Sequence, residues 1–351
     1  MRVGIIGCGH MSNAHIPEVR RLTGIEIIGV CDSDEGKARE IAHRFAIRHV
    51  YRDTSTLLEE MRPEVVHILT PPQTHKELAI RAMEAGCHVL VEKPMALNLK
   101  EADEMIAASK RSGVTLGVCH NRLFDPAVME AKELVARGAV GRVIFVQMFL
   151  RTFRDGQRDR YQASPWLHDL RGGLFHEVAP HLVYLQREFL KTLRVVSAIA
   201  KKTESNLPTP FDELHVLFEG ESGLGSLIIS VSVNPYLYFL NIYGTEMTIH
   251  VDLTSNTLVK FRRSGVGKIS KVLVNIDHSL QLLSKTVGNT VQILSGRRKL
   301  GHGQLIEKFY ESLRKRTEPP VTGKDGQAVV GVLDQIWAEL DRTFLTQQDG
   351  G

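Results

Sequence analysis

Through about residue 120 the chain repeats a single alternation, and no other feature restricts its fold as sharply. Short apolar, β-branched runs (VGIIG, IEIIGVCD, VVHILT, HVLVE, VTLGVC) exchange with amphipathic stretches near 11–22, 35–45, 73–85 and 98–111. A run that is apolar throughout suits a strand buried on both faces, and the amphipathic stretch after it suits a crossover helix. The expectation is a doubly wound α/β domain with a parallel sheet, a Rossmann-type arrangement.

After Pro126 the rhythm changes. One helix is expected near 127–136 and a strand over 142–150, followed by alternating strands between 195 and 261, among them LHVLFEG, GSLIISVSV and MTIHVD. Successive strands joined by short polar turns predict an α+β domain with a largely antiparallel sheet. A helix near 303–316, a Pro319-Pro320 turn and a helix near 325–344 follow. The expected division is 1–121 for the first domain and 122–351 for the second.

Gly7-Cys8-Gly9-His10-Met11-Ser12 directly follows the first strand and opens the first helix. Glycines there let backbone approach a pyrophosphate, and the helix amino terminus offers unpaired N–H groups and a partial positive charge. Ser12 stands where a third glycine is usual, and is small enough for close helix-on-strand packing. Twenty residues on, Asp32 closes the second strand, placed to accept hydrogen bonds from adenosine ribose hydroxyls and to repel a 2′-phosphate. NAD is therefore expected over NADP. Lys37 argues the other way, and a turn or capping role for Asp32 stays open.

The stretch HILTPPQTHKELAIRAMEAGCHVLVEKP, with GCGHMSNAH and the later GGLFHEVAPH, resembles the glucose-fructose oxidoreductase, inositol dehydrogenase and rhizopine-catabolism family (Gfo/Idh/MocA). The closing PPVTGKDGQAVVGVLDQIW resembles that family's ending. Glu92-Lys93-Pro94 is the most specific mark, and follows a strand at the edge where doubly wound folds bind ligands. A lysine beside an oxidised nicotinamide is expected to have a lowered pKa, to hydrogen-bond the substrate oxygen and to join in proton transfer. The resemblance implies that Lys93 is catalytic, that Thr70-Pro71, Glu92 and Lys93 lie along the cofactor, and that His75, at a recurrent position of the cofactor domain, binds it too.

In the second half, the resemblance extends to the glycine-rich segment Gly172-Gly173 and the acid and histidine after it. On one helix face Glu177 can orient His181, making His181 the candidate general base. Glutamate replaces the family's usual aspartate at 177, which leaves open whether it touches substrate as well. Pro180 predicts a kink or a later helix start. His176 is a further substrate candidate, with packing as its alternative. No metal is expected: His176 and His181 are five apart, about 140° around a helix, whereas HExxH needs i and i+4. Asn121 and Arg122, then Tyr161, Trp166 and His168 in the lid-like segment FRDGQRDRYQASPWLHDLRGG, complete the substrate candidates.

The remaining features bound the setting. A net charge of +4 gives no case for nucleic acid, and four scattered cysteines read as small buried apolar residues. No apolar run is long enough to span a bilayer, and the opening lacks signal-peptide character, so the expected location is the cytoplasm. Between 278 and 299, Leu280, Leu283, Val287, Val291 and Leu294 recur at helical spacing before Arg297-Arg298-Lys299. Core or oligomer contact is the expected use of that face, with peripheral membrane contact the alternative. The expected function is NAD-dependent hydride transfer at a secondary alcohol of a carbohydrate-like substrate, in a homo-oligomer assembled through the second domain's sheet. Redox-neutral glycoside cleavage and a non-catalytic NAD-sensing role are the alternatives.

Overall fold

The computed structural model describes residues 1–151, 164–203, 209–262, 267–295 and 301–348. The chain forms two compact units, Met1–Asn121 with Gly301–Gly331, and Arg122–Leu300 with Val332–Gly351. The expected continuous second domain is thereby corrected, because residues 301–331 return to the first unit.

The first unit holds β1 (Arg2–Ile6), α1 (Ser12–Arg20), β2 (Glu26–Cys31), α2 (Glu35–Arg44), β3 (Val50–Tyr51), α3 (Thr54–Met61), β4 (Val65–Ile68), α4 (His75–Glu84), β5 (His88–Val91), α5 (Leu99–Ser112) and β6 (Leu116–Val118). All strand pairs are parallel, in the order β3-β2-β1-β4-β5-β6. Val3, Ile5, Val65, Val66, Val89 and Val91 are fully buried, as strands covered on both faces require. Side chains start the helices: Asp34 accepts the Gly36 and Lys37 N–H groups, Asp53 that of Thr56, and Asn98 that of Glu101. The β3–α3 pair was absent from the expected alternation, since a two-residue strand carries no period.

The returning segment contributes α9 (Gly301–Lys315) and the start of α10 (Gly323–Gln348). Val118 N–H donates to Val321 O, which extends the β6 edge. Gly117 leaves room for Phe309: a Cβ there would fall 2.7 Å from the ring. These contacts, absent from any local pattern, tie 301–331 to the first unit.

The second unit carries α6 (Pro126–Ala136), β7 (Val143–Arg151), α7 (Leu174–Leu190), β8 (Leu193–Lys201), β9 (Glu213–Gly220), β10 (Leu224–Ser230), β11 (Tyr238–Gly244), β12 (Met247–Asp252), β13 (Thr257–Arg262) and α8 (Lys268–Leu294). The sheet runs β13-β12-β11-β7-β10-β9-β8, antiparallel except between β7 and β10. Register puts Val216, Leu227, Met148, Leu240 and Ile249 on the inner face, all at most 1% exposed, where α6 and α7 pack. The other face shows Leu217, Phe149, Phe239 and Tyr243. α7 starts at Leu174 and runs on through Pro180, so the later start that Pro180 allowed is not taken.

α8 begins about ten residues before the expected apolar stretch and has no buried residue, so a core role for it is corrected. Among the described residues no helix is long and apolar enough to cross a membrane.

Candidate functional site

The glycine-rich turn expected to receive a pyrophosphate lies between β1 and α1. Gly7 has φ +98°, and a Cβ there would fall 2.7 Å from the Leu69 carbonyl carbon and the Thr70 nitrogen. At Gly9 an added Cβ meets nothing within 4 Å, so the backbone is open to a ligand. Ser12 is fully buried, its hydroxyl donating to Gly9 O at 2.6 Å, which stitches the turn to the start of α1. Asp32, just past β2, accepts from Cys8 N–H at 2.8 Å and Asp34 N–H at 2.9 Å. The carboxylate is thus fixed beside the turn, as an NAD ribose requires. His10 is exposed and Met11 half-buried on the same turn. The strand order, not the strand direction, reverses between β1 and β4, and that switch point opens the crevice in which this fold holds dinucleotides.

Glu92 and Lys93 follow β5, and the Lys93–Pro94 peptide bond is cis. Lys93 is half-buried, whereas Glu92 is buried and belongs to a chain of polar groups beneath it. Glu92 Oε1 lies 2.9 Å from His15 Nε2, His15 Nδ1 2.9 Å from His67 Nδ1, and His67 Nε2 2.9 Å from the Tyr310 hydroxyl. Glu92 Oε2 accepts the Lys93 N–H at 3.1 Å. Burial alone would raise the Glu92 pKa, but the hydrogen bond and charge of His15, with His302 and Lys93, hold it well below the ordinary carboxylate range. Burial, then repulsion from His15, keeps His67 well below the usual histidine value. Tyr310 O–H can donate to His67 Nε2, His67 Nδ1–H to His15 Nδ1, and His15 Nε2–H to Glu92, which satisfies every member of the run.

Among the described residues, His15, Glu92, Cys119 and His302 gather donor atoms within 4.8 Å of one another. They engage each other: Cys119 Sγ is 3.7 Å from His15 Nε2, and His302 Nε2 3.8 Å from Glu92 Oε1. Asn121, expected to bind substrate, contacts His302 at 3.2 Å and is buried. All four cysteines are buried and free, and burial pushes the Cys8 thiol up to about 12 and those of Cys31 and Cys87 to about 11. Thr70 and Pro71 are half-buried at the end of β4. The His75 expectation is corrected: its ring is fully buried, with Nδ1 2.9 Å from Pro94 O and Nε2 2.8 Å from Thr70 O. It braces the two loops from below, with no exposed surface of its own.

In the second unit, Glu177 and His181 lie half-buried one turn apart on α7. His181 Nδ1 is 2.7 Å from the hydroxyl of Tyr184, which also accepts the Arg122 N–H at 3.1 Å. The Arg122 guanidinium pairs with Asp125 at 3.0 Å and lies 5.6 Å from the centre of the Tyr238 ring. Burial works against the Arg122 charge, but Asp125 outweighs it and raises the pKa. Burial lifts both tyrosines, strongly for Tyr184; the Glu177 charge also acts on Tyr238. Asp125, Tyr184 and Tyr238 were not among the sequence candidates. Tyr184 was within reach, three residues from His181 on one helix; Tyr238 joins only through the sheet.

His176 is corrected from a substrate candidate to a packing residue. It is 2% exposed, stacks on Trp337 at 5.6 Å, and its Nδ1 lies 3.1 Å from Arg171 O. Gly172, with φ +82°, makes space for the same indole, since a Cβ there would fall 2.6 Å from it. Trp166 is half-buried and His168 exposed, while Tyr161 lies outside the described residues.

Residues 1–120 match the family model described as oxidoreductase family, NAD-binding Rossmann fold, and residues 128–250 match the GFO/IDH/MocA C-terminal domain. Over 224 residues the chain is 28% identical to D-apiose dehydrogenase of Paraburkholderia graminis, covering 64% of this chain and 58% of that protein. It is 27% identical over 267 residues to myo-inositol 2-dehydrogenase of Thermotoga maritima, covering 74% and 77%. For several curated relatives the match spans between half and three-fifths of their length. The WlbA dehydrogenase of Bordetella pertussis, solved in complex with NADH and UDP-GlcNAcA, has the same fold: TM-score 0.79 at 20% identity, over 97% of this chain and 96% of that one.

Proposed function

Because the chain belongs to the Gfo/Idh/MocA oxidoreductase family, whose amino-terminal half is an NAD-binding Rossmann fold, we propose that it is an NAD-dependent dehydrogenase acting on a secondary alcohol of a sugar, cyclitol or sugar derivative. The observation that carries the reading is Lys93 at the carboxyl end of β5, on a loop whose Glu92 is anchored from below by His15. The relatives named for apiose and inositol support a polyhydroxylated substrate.

When bound, NAD supplies the hydride acceptor. Gly7, Gly9, His10, Met11 and Ser12 receive its pyrophosphate, Asp32 its adenosine ribose, and Thr70-Pro71 borders the rest. Lys93 holds the substrate oxygen, and His181 takes the alcohol proton at Nε2. The Tyr184 hydroxyl accepts the Arg122 N–H and lies 2.7 Å from His181 Nδ1; with the imidazole proton on Nδ1, the Nε2 lone pair is left to take a proton. Arg122 and Trp166 line the substrate side, with Glu177 orienting His181. The open sheet face, where Ile199, Leu217 and Leu224 are 53–59% exposed, is the subunit contact of a homo-oligomer.

The test is NADH absorbance on mixing the protein and NAD with free, nucleotide-linked and glycosidic sugars, beside Lys93→Ala and His181→Ala. Signal with one class, lost in both variants, is the expected result. No NADH from any sugar, with NAD bound, overturns net dehydrogenation in favour of redox-neutral cleavage or NAD sensing.

A further inference from the structure

α8 faces the wrong way for a helix that belongs to one chain alone. Its polar stripe looks inward. The Gln281 amide accepts the Lys260 N–H at 2.9 Å and donates to the Lys260 carbonyl at 3.2 Å, closing the edge strand β13 as a neighbouring strand would. Lys285 reaches Glu130 at 2.5 Å, Asn289 donates to the carbonyls of Ser255 and Asn256, and the His278 ring lies 4.2 Å from that of Phe261. The helix is therefore fixed about its own axis. Ile269, Leu273, Ile276, Leu280, Leu283 and Val287 lie on the opposite side, each between 49% and 77% exposed.

Those six alternate in steps of four and three, the 3.5-residue period of a helix-to-helix seam. We propose that α8 pairs antiparallel with α8 of a second copy of this chain. The seam is self-complementary in that direction: Leu280 meets Leu283 of the second copy, Ile276 meets Val287, and Ile269 meets Leu294. Only Leu273, opposite Thr290, lacks an apolar partner. A two-fold contact requires such a match of one surface with itself. At 27 residues the helix is about 40 Å long. With Val272, Val291 and Leu294 beside them, exposed by 58–82%, the apolar side chains of this side offer on the order of 60–100 Å² each, in total about 550–900 Å², the range of the ~800 Å² per partner of a stable interface.

The flanks favour a helix over a lipid surface. Membrane-surface helices carry Lys or Arg beside the apolar face and often an aromatic anchor within it. Here the seam is bordered by Ser270, Asp277, Ser279, Ser284 and Thr286, with Lys268 as a basic residue beside it only at the first turn, and α8 contains no Phe, Tyr or Trp.

Two experiments on the full chain test this. Light scattering compares the mass of the wild-type chain with that of Leu280→Asn/Leu283→Asn; NADH binding confirms that the exposed changes leave the nucleotide-binding half folded. The expected result is half the wild-type mass in the variant, whatever other contact exists. In the second, Ile276→Cys/Val287→Cys is oxidised: intermolecular disulfide between positions 276 and 287 is expected in the double variant and in neither single one. An unchanged mass, or crosslinking equal in the single variants, overturns the pairing. Sedimentation of the wild-type chain with phosphatidylserine vesicles, lost in the Asn variant without a mass change, overturns it in favour of a lipid surface.

Discussion

His15 on α1 and Glu92 after β5 stand 77 positions apart in the chain and 2.9 Å apart in space, both buried, with the Glu92 side chain also holding the Lys93 N–H. The proposed catalytic lysine is thus positioned from within the core by a helix that opens at the nucleotide-binding turn. Removing one partner of a buried pair leaves the other uncompensated, at about 3–5 kcal/mol. His15→Ala is expected to lower the urea midpoint accordingly, and His15→Gln, which keeps a donor, to recover part of the loss.

Stability should report the same pair through pH. The Glu92 pKa is lowered in the folded state, so its contribution is present above the unfolded value and disappears as pH falls through the folded one. His67 is lowered too, but as a base: the unfolded state takes up the proton, and stability falls as pH drops through the ordinary histidine value. Urea titrations are expected to show the advantage of the wild-type chain over Glu92→Gln shrinking only in acid, and NMR to show a neutral His67 ring throughout the neutral range.

Tyr310→Phe removes the hydroxyl 2.9 Å from His67 Nε2 and leaves a buried ring nitrogen unsatisfied. The expected loss is about 1–3 kcal/mol by denaturant melts, with NADH affinity unchanged.

Asp32 is expected to govern the choice of cofactor. Asp32→Ala removes the acceptor that Cys8 and Asp34 N–H groups hold in place. Loss of charge-assisted bonds of about 1.5–3 kcal/mol corresponds to roughly 10- to 100-fold weaker NAD binding by calorimetry, with weaker discrimination against NADP.

Tyr184→Phe deletes the oxygen between His181 Nδ1 and the Arg122 N–H. The expected outcome is a fall in kcat of about 10-fold or more, with an altered pH–rate profile and little change in NAD affinity. An unchanged profile would argue against His181 as the base.

Thiol chemistry offers a check on packing. All four cysteines are buried, and thiolate formation is opposed at each. A thiol reagent is expected to label none of the four in the folded chain and all of them in urea.

The sequence by itself determined what local periods and short motifs can express. Apolar runs alternating with amphipathic stretches specify a parallel sheet with crossover helices, because strand burial and helix faces are written in neighbouring residues. Gly7 to Ser12, Asp32 and Glu92 to Pro94 stood out as a candidate nucleotide cradle and a candidate catalytic corner, each being a few residues at the end of a predictable strand. Only the tertiary structure decided which side chains meet across long separations. His15, His67 and Tyr310 read as unrelated positions until α9 returned to the first unit. Tyr238 joined Arg122 through sheet register, and the burial that removed His75 and His176 from the binding surface depends on what packs above them. The same holds for α8: its apolar spacing was visible in the chain, but which way the stripe faces was settled by Gln281, Lys285 and Asn289 gripping β13 and its surroundings. Spacing sets the faces of a helix, and long-range contacts choose the one that turns inward.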